Sequence, residues 1–241
     1  FCYLSELGAY VVKRIVYTYL ILLLLLCLCS GLAEDDTIVI KATTYPLYDM
    51  ARSLYGDPAT VTFMPDASTD TLGQCDILLC VGDENDQWTA FLDGVTVVRA
   101  LDSIGGLLTI DGNVASLDTP IEEIDADVLT IPINDVLVAY DLVDAVTMLN
   151  ADIGTAATDE LEDYANQYFE MDRLFVEAVE NGAAVTCHDG SMNYFAQEYG
   201  VDVDQEGAVE LHTYNMPGNE NLEVPYIELM QRNLQAIKEA N

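Results

Sequence analysis

His188 ends an apolar, β-prone run at 183–187 and is followed by an Asp-Gly turn. A short amphipathic segment then runs to Gly200. A histidine at the carboxyl end of a strand faces the crevice where open α/β sheets bind ligands. Its imidazole is neutral near pH 7 and can ligate a borderline metal such as zinc. The chain has only 2 histidines, so the placement of this one carries weight. The other, His212, lies in a loop-like stretch and reads as structural or exposed.

The elements that must position His188 alternate. Residues 37–43 read as a buried β-branched strand, 47–55 as a helix stopped by Gly56 and Pro58, and 59–64 as a second strand. Residues 76–81 are a third strand, apolar after its first residue, as suits a parallel strand covered on both faces. A short helix at 88–92 and a strand at 95–99 follow, then a loop-rich stretch to residue 126. This order implies parallel βαβ units. Residues 134–150 have apolar positions at helical spacing. The longest helical pattern is 158–182, with Thr158 as a candidate cap and a stripe of Leu161, Tyr164, Tyr168, Met171, Leu174, Phe175 and Ala178. It would run about 35 Å, the length of a strut between two lobes. A fresh strand begins after it, and 223–240 reads as a final helix. The expected fold is α/β, two lobes of parallel βαβ units joined by a long rigid helix. The expected boundaries are an N-terminal lobe at 34–157, the connecting helix at 158–182 and a C-terminal lobe at 183–241.

Composition excludes some functions. The chain has 241 residues with 8 Lys plus Arg against 42 Asp plus Glu, a formal charge of −34. Phosphate backbones need a basic surface, so nucleic acid is not a partner. An acidic field concentrates cations instead, although carboxylates this scattered also serve solubility alone. Lys13 and Arg14, a leucine-rich run at 15–30, and small residues at Gly31 and Ala33 have the layout of a secretory signal peptide. Cleavage after Ala33 would leave an exported protein, periplasmic or on the cell surface, one charge unit more negative. An uncleaved anchor is the alternative. Cys27 and Cys29 each follow a leucine, where lipidation signals favour a small residue. Cleavage would leave Cys75, Cys80 and Cys187. The first two lie five residues apart on an expected strand, roughly 16 Å and too far for a disulfide. No CxxC pair, nucleophile elbow, P-loop or dinucleotide fingerprint is present. An enzyme using Asp127 and His188 as an acid/base pair, with Ser191 nearby, therefore has little support, and the chain is read as a non-enzyme.

Four segments in order carry a resemblance. VTCHDGSMNYFAQEYG at 185–200 resembles an H-D-A-F-G-Y-F-x-x-x-Y-G-L block. IVIKATTYPLYDM at 38–50 resembles a first strand with a T-x-x-P-L turn. VTFMPDASTD at 61–70 resembles an L-P-D-G-A-S-x-H-D loop, and CDILLCVG at 75–82 with Trp88 to Leu92 resembles A-D-L-V-V-x-x-G…W-L. These blocks belong to the zinc- and manganese-binding solute-binding proteins of bacterial ABC importers, which the chain resembles from about residue 38 onward.

That resemblance implies a divalent metal ion (zinc or manganese) held between the lobes, an ABC-importer permease as membrane partner and a monomeric binding protein. His188 matches the family's C-lobe histidine. The N-lobe histidine of the second block is absent, and Asp70 or Thr69 stands nearest in register. The family's H-x-W-L-D-P-x-N is reduced to DVLTIPIN at 127–134, so Asp127 falls on the histidine. The implied metal set is His188, Asp127 and Asp70. Carboxylates are harder ligands than imidazole and would tilt the site from zinc toward manganese, calcium or magnesium. The family continues past this chain's last helix, so a shorter C-terminal lobe is expected. The alternative is a degenerate, metal-independent member of the same fold acting as a surface interaction protein.

Overall fold

Strand β1 (Ile38–Ala42) is buried at alternate positions and pairs in parallel with a strand on each side. The computed structural model describes residues 37–56, 59–179, 184–187, 189–203, 208–216 and 223–240. The expected signal segment lies outside them, as does His188 itself. Residues 38–241 fold as one unit.

The first sheet has the order β2-β1-β3-β4, all parallel, with β2 at Ala59–Phe63, β3 at Ile77–Cys80 and β4 at Thr96–Arg99. Every residue of β3 is buried, as its unbroken ILLC sequence demands of an inner parallel strand. From β1 the chain leaves to β2 on one side and returns to β3 on the other. That reversal opens a crevice at the carboxyl ends of β1 and β3. Helix α1 (Tyr45–Tyr55) makes the first crossover, with Pro46 in its opening turn. The segment expected as a short helix at 88–92 is a 3-10 helix at Glu84–Phe91, capped by Asp83 Oδ1 accepting from Asn85 N at 2.9 Å. A one-turn helix α2 (Ala100–Ser103) follows β4. Cys75 and Cys80 are buried free thiols, as their spacing led one to expect.

Helices α3 (Pro132–Leu149) and α4 (Ala151–Val179) form the largest helix pair. The long helix is continuous through 158–179, as expected, but it does not begin at Thr158. Asn150 Oδ1 accepts from Asp152 N at 3.1 Å and Ile153 N at 3.2 Å, satisfying donors that the first turn leaves open. Thr158 reads as a cap followed by acidic residues, which sets the expected start at 158, and the helix instead runs on through Gly154. A Cβ there would lie 2.1 Å from Thr147 Oγ1, so the close approach of α3 requires glycine. Asn150→Ala should cost about 1 kcal/mol of stability, read as a fall in the urea midpoint with unchanged slope. The buried stripe of α4 recurs at Leu161, Tyr164, Tyr168, Met171, Phe175 and Ala178, the three-four alternation of a helix packed along one face.

The second sheet pairs β5 (Val185–Cys187) with β6 (Val209–Leu211) in parallel. Helix α5 (Asn193–Tyr199) runs between them, ended by Gly200 in the left-handed conformation. Helix α6 (Tyr226–Ala240) closes the chain's described part. It docks on α4 and on α1. The fold is thus α/β, two parallel sheets with α4 as the connecting rod.

Candidate metal centre

The segment carrying Asp127 is held rigidly from below. Asn134, in the first turn of α3, donates Nδ2 to Val128 O at 2.7 Å, and Thr130 Oγ1 donates to Asp127 O at 2.9 Å. Asp125 Oδ1 accepts from Asp127 N at 3.0 Å. Both carboxylates then reach residues that follow β5. Ser191 N donates to Asp127 Oδ2 at 2.5 Å, and Asn215 Nδ2 donates to Asp127 Oδ1 at 2.6 Å. Ser191 Oγ donates to Asp125 Oδ2 at 2.6 Å, and Asn193 Nδ2 reaches the same oxygen at 2.9 Å. Gly190 makes this approach feasible. A Cβ there would lie 2.5 Å from Asp127 Oδ2 and 2.7 Å from Thr213 Cγ2.

More bonds cross the same joint. Asp49 on α1 accepts from Tyr226 N at 2.7 Å, at the start of α6, while also pairing with Arg52 at 2.7 Å. Tyr226 Oη lies 2.8 Å from Leu129 O and 3.2 Å from Thr213 O. Tyr45 Oη donates to Val224 O at 2.7 Å, and Leu108 N donates to Tyr194 Oη at 3.0 Å. These bonds to backbone groups satisfy polar atoms that the joint removes from water.

Beside the joint is an open cavity of about 360 Å³, lined by Asp83, Ile121, Asp125, Asp127, Gly190 and Ser191 among others. Burial pushes the Asp127 carboxyl up to about 6. The Ser191 N–H and Asn215 amide hold it down in part, and the neighbouring charges of Asp125 and Asp189 raise it. At neutral pH it is an anion in a half-dry site, the state a cation would find most useful.

Of the three residues that the resemblance implies, Asp127 meets the loop that begins with Asp189, directly after His188 in sequence. His188 lies outside the described residues. Asp70 is exposed in the turn that follows β2, where Ser68 and Thr71 bond each other, and it does not line the cavity beside Asp127. Among the described residues no three His, Cys, Asp or Glu side chains gather closely enough to hold an ion between them. Sequence reasoning missed Asp125 and Asn215. The Asp-x-Asp spacing at 125–127 was the available signal for the first. Asn215 had none, since its role depends on a contact 88 residues away.

No family model matches this sequence, and no curated protein sequence matches it. Solved structures do. Zinc-bound AdcA from Streptococcus pneumoniae superposes with a TM-score of 0.69 at 14% identity, over 85% of this chain and 57% of AdcA. The chain thus spans little more than half the length of that protein. The periplasmic zinc-binding protein TroA from Treponema pallidum superposes at 0.68 with 13% identity, over 85% of this chain and 99% of TroA. The laminin-binding protein Lbp of Streptococcus pyogenes superposes at 0.66 with 11% identity, over 85% and 98%. The chain therefore has the two-lobed α/β fold of the zinc-binding solute-binding proteins, the fold that its four sequence blocks resemble.

Proposed function

We propose that this protein is an exported solute-binding protein that carries a divalent metal ion, zinc or manganese, to an ABC-importer permease, acting as a monomer and not as an enzyme. Its lobes would be residues 34–157 and 183–241, with Asp127 and His188 facing each other across the joint. The observation that supports this best is Asp127. The resemblance puts it in the place of a family histidine, and it holds a half-buried carboxylate against the loop next to His188, in the fold of zinc-binding proteins. Asp70, exposed and away from the cavity lining, has the weakest support of the three. Among the described residues no helix is long and apolar enough to cross a membrane.

With one imidazole and carboxylates in place of three histidines, zinc should bind more weakly than in a three-histidine site. Calorimetric titration of zinc and manganese into the wild type and His188→Ala is the test. Loss of binding in the variant supports the reading, and equal binding by both or binding by neither removes it.

One observation favours a second reading. Both Asp127 oxygens already accept hydrogen bonds across the joint, from Ser191 and Asn215. A carboxylate so occupied can close the lobes with no ion at all. The chain would then be a metal-independent scaffold working through its surface. Copurification of stoichiometric metal with the exported protein would rule that reading out.

A further inference from the structure

Three adjoining cavities lie along one face of α4. The first, about 290 Å³, sits against the end of α1 at Leu54, Tyr55 and Gly56. The second, about 330 Å³, shares Ser53 and Glu160 with it. The third, about 430 Å³, shares Asp163, Gln167 and Ile227 with the second and runs on to Leu174 and to Gln231 of α6. Together they make one groove along α4 from Ile153 to Leu174, about 30 Å long at the helical rise. The groove shares no lining residue with the cavity beside Asp127.

The residues on its floor are spaced as a seam for a second helix. Ala157, Glu160, Tyr164, Gln167, Met171 and Leu174 all line it, in steps that alternate three and four. Steps of that kind keep side chains in line with a helix laid alongside. The charge in the groove is one-sided. Asp49, Glu160, Asp163, Glu170 and Glu228 line it, and no Lys or Arg does. Asp49 is paired with Arg52 and Glu170 with Arg173. Glu160, Asp163 and Glu228 are exposed and make no ion pair among the described residues.

We propose that this groove is the docking site for a basic amphipathic helix of a partner protein, with its apolar stripe on the α4 seam and its Lys or Arg side chains against Glu160, Asp163 and Glu228. A helix so placed buries apolar surface in the groove and leaves its charges at the rim. About 20 residues span the length. Charge selects this occupant over the others. A second copy of the chain carries the same acidic excess, formally −34, and is repelled. The chain's own leucine-rich run at 15–30 has no charged residue to set against the three carboxylates, and Lys13 and Arg14 lie at one end of it only. Because the groove is separate from the joint at Asp127, docking does not depend on the metal-carrying function.

The probe is a fluorescently labelled model helix of about 20 residues, with leucines along one face and lysines beside them. Its anisotropy is titrated with the wild type, with Glu160→Lys/Asp163→Lys and with the size-keeping Glu160→Gln/Asp163→Asn. Asp93→Lys/Asp118→Lys, at exposed sites outside the groove, makes the same change in net charge as the first pair and is the control. The wild type and the control should bind alike, more weakly as salt rises. Glu160→Lys/Asp163→Lys should lose about tenfold or more in affinity, and the neutral pair less. No binding by the wild type, groove variants that bind like it, or an equal loss in the control would each overturn the proposal, the last by showing that net charge alone attracts the helix. Sedimentation without the peptide tests the other occupants. A wild-type dimer that Glu160→Lys/Asp163→Lys dissociates would give the groove to a second copy. Peptide binding that appears only once residues 1–33 are removed would give it to the chain's own leading segment. Either result overturns the proposal as well.

Discussion

Asp135→Ala should raise the melting temperature at pH 7 by several degrees. Asp135, in the first turn of α3, is 0% exposed, and neither carboxylate oxygen has a hydrogen-bond partner among the described residues. Burial drives its carboxyl well above the usual carboxylate range, and the charge of Asp49 adds to this. Tyr164, Tyr168 and Tyr226 are the other titratable groups that feel its charge most closely. A group whose folded pKa is raised binds a proton more tightly in the native state than in the unfolded chain. Stability is therefore highest below the unfolded pKa, near 4, and is lost as pH rises from there through the folded value. Alanine removes the unpaired oxygens and favours the helix, a gain of about 1–3 kcal/mol at neutral pH. For a unit of this size each kilocalorie is worth about 2–4 °C. Thermal unfolding of both proteins from pH 4 to pH 8 is the measurement. The gap should open with rising pH, and a gap independent of pH would mean that packing rather than ionisation is responsible.

The largest loss is expected from Phe175→Ala. Phe175 is 1% exposed on α4 and meets Phe195 of α5 edge to face, with centroids 5.1 Å apart, while Tyr199 packs against both. This cluster fixes the second sheet's own helix to the connecting rod, so its removal leaves a cavity between them. The cost of such a truncation is about 3–5 kcal/mol. Chemical denaturation gives the number directly. Phe175→Leu, which keeps most of the volume, should recover more than half of the loss, and failure to recover it would place the penalty in backbone distortion instead of lost packing.

The parts of this fold that were legible in the sequence are those written in local patterns. The unbroken apolar run at 77–80 marks an inner parallel strand because such strands are covered on both faces. The stripe from Leu161 to Ala178 marks one helix because its spacing alternates between three and four. The helix starts at Ala151, seven residues before the expected Thr158, because a capping residue followed by acidic ones recurs at 158 while the approach of Thr147 to Gly154 has no local signature. The joint was less legible still. Asp127 could be placed only through the resemblance, and its partners Ser191 and Asn215 are long-range contacts with no periodic signature. Asp135 follows Asn134 in what reads as the opening of an ordinary helix, and nothing about its neighbours in sequence says that the carboxyl points inward.

The bond between Asp49 and Tyr226 spans 177 residues, and that between Tyr45 and Val224 spans 179. Helix α1 thus meets these two distant polar partners only once residues 224–226 have been made. A chain emerging from the ribosome, N-terminus first, can pair β1 with β2 and β3 early. Arg52 can pair with one oxygen of Asp49 early, but the other oxygen meets its partner only when the segment around Tyr226 has been made. Closing so long a loop is slow, and contacts this distant in sequence delay the rate-limiting step of folding. Until then the nascent chain has an unsealed α1 face and only provisional order. A polypeptide that reaches its native state only once the segment around Tyr226 has been made stays threadable until that point in its synthesis.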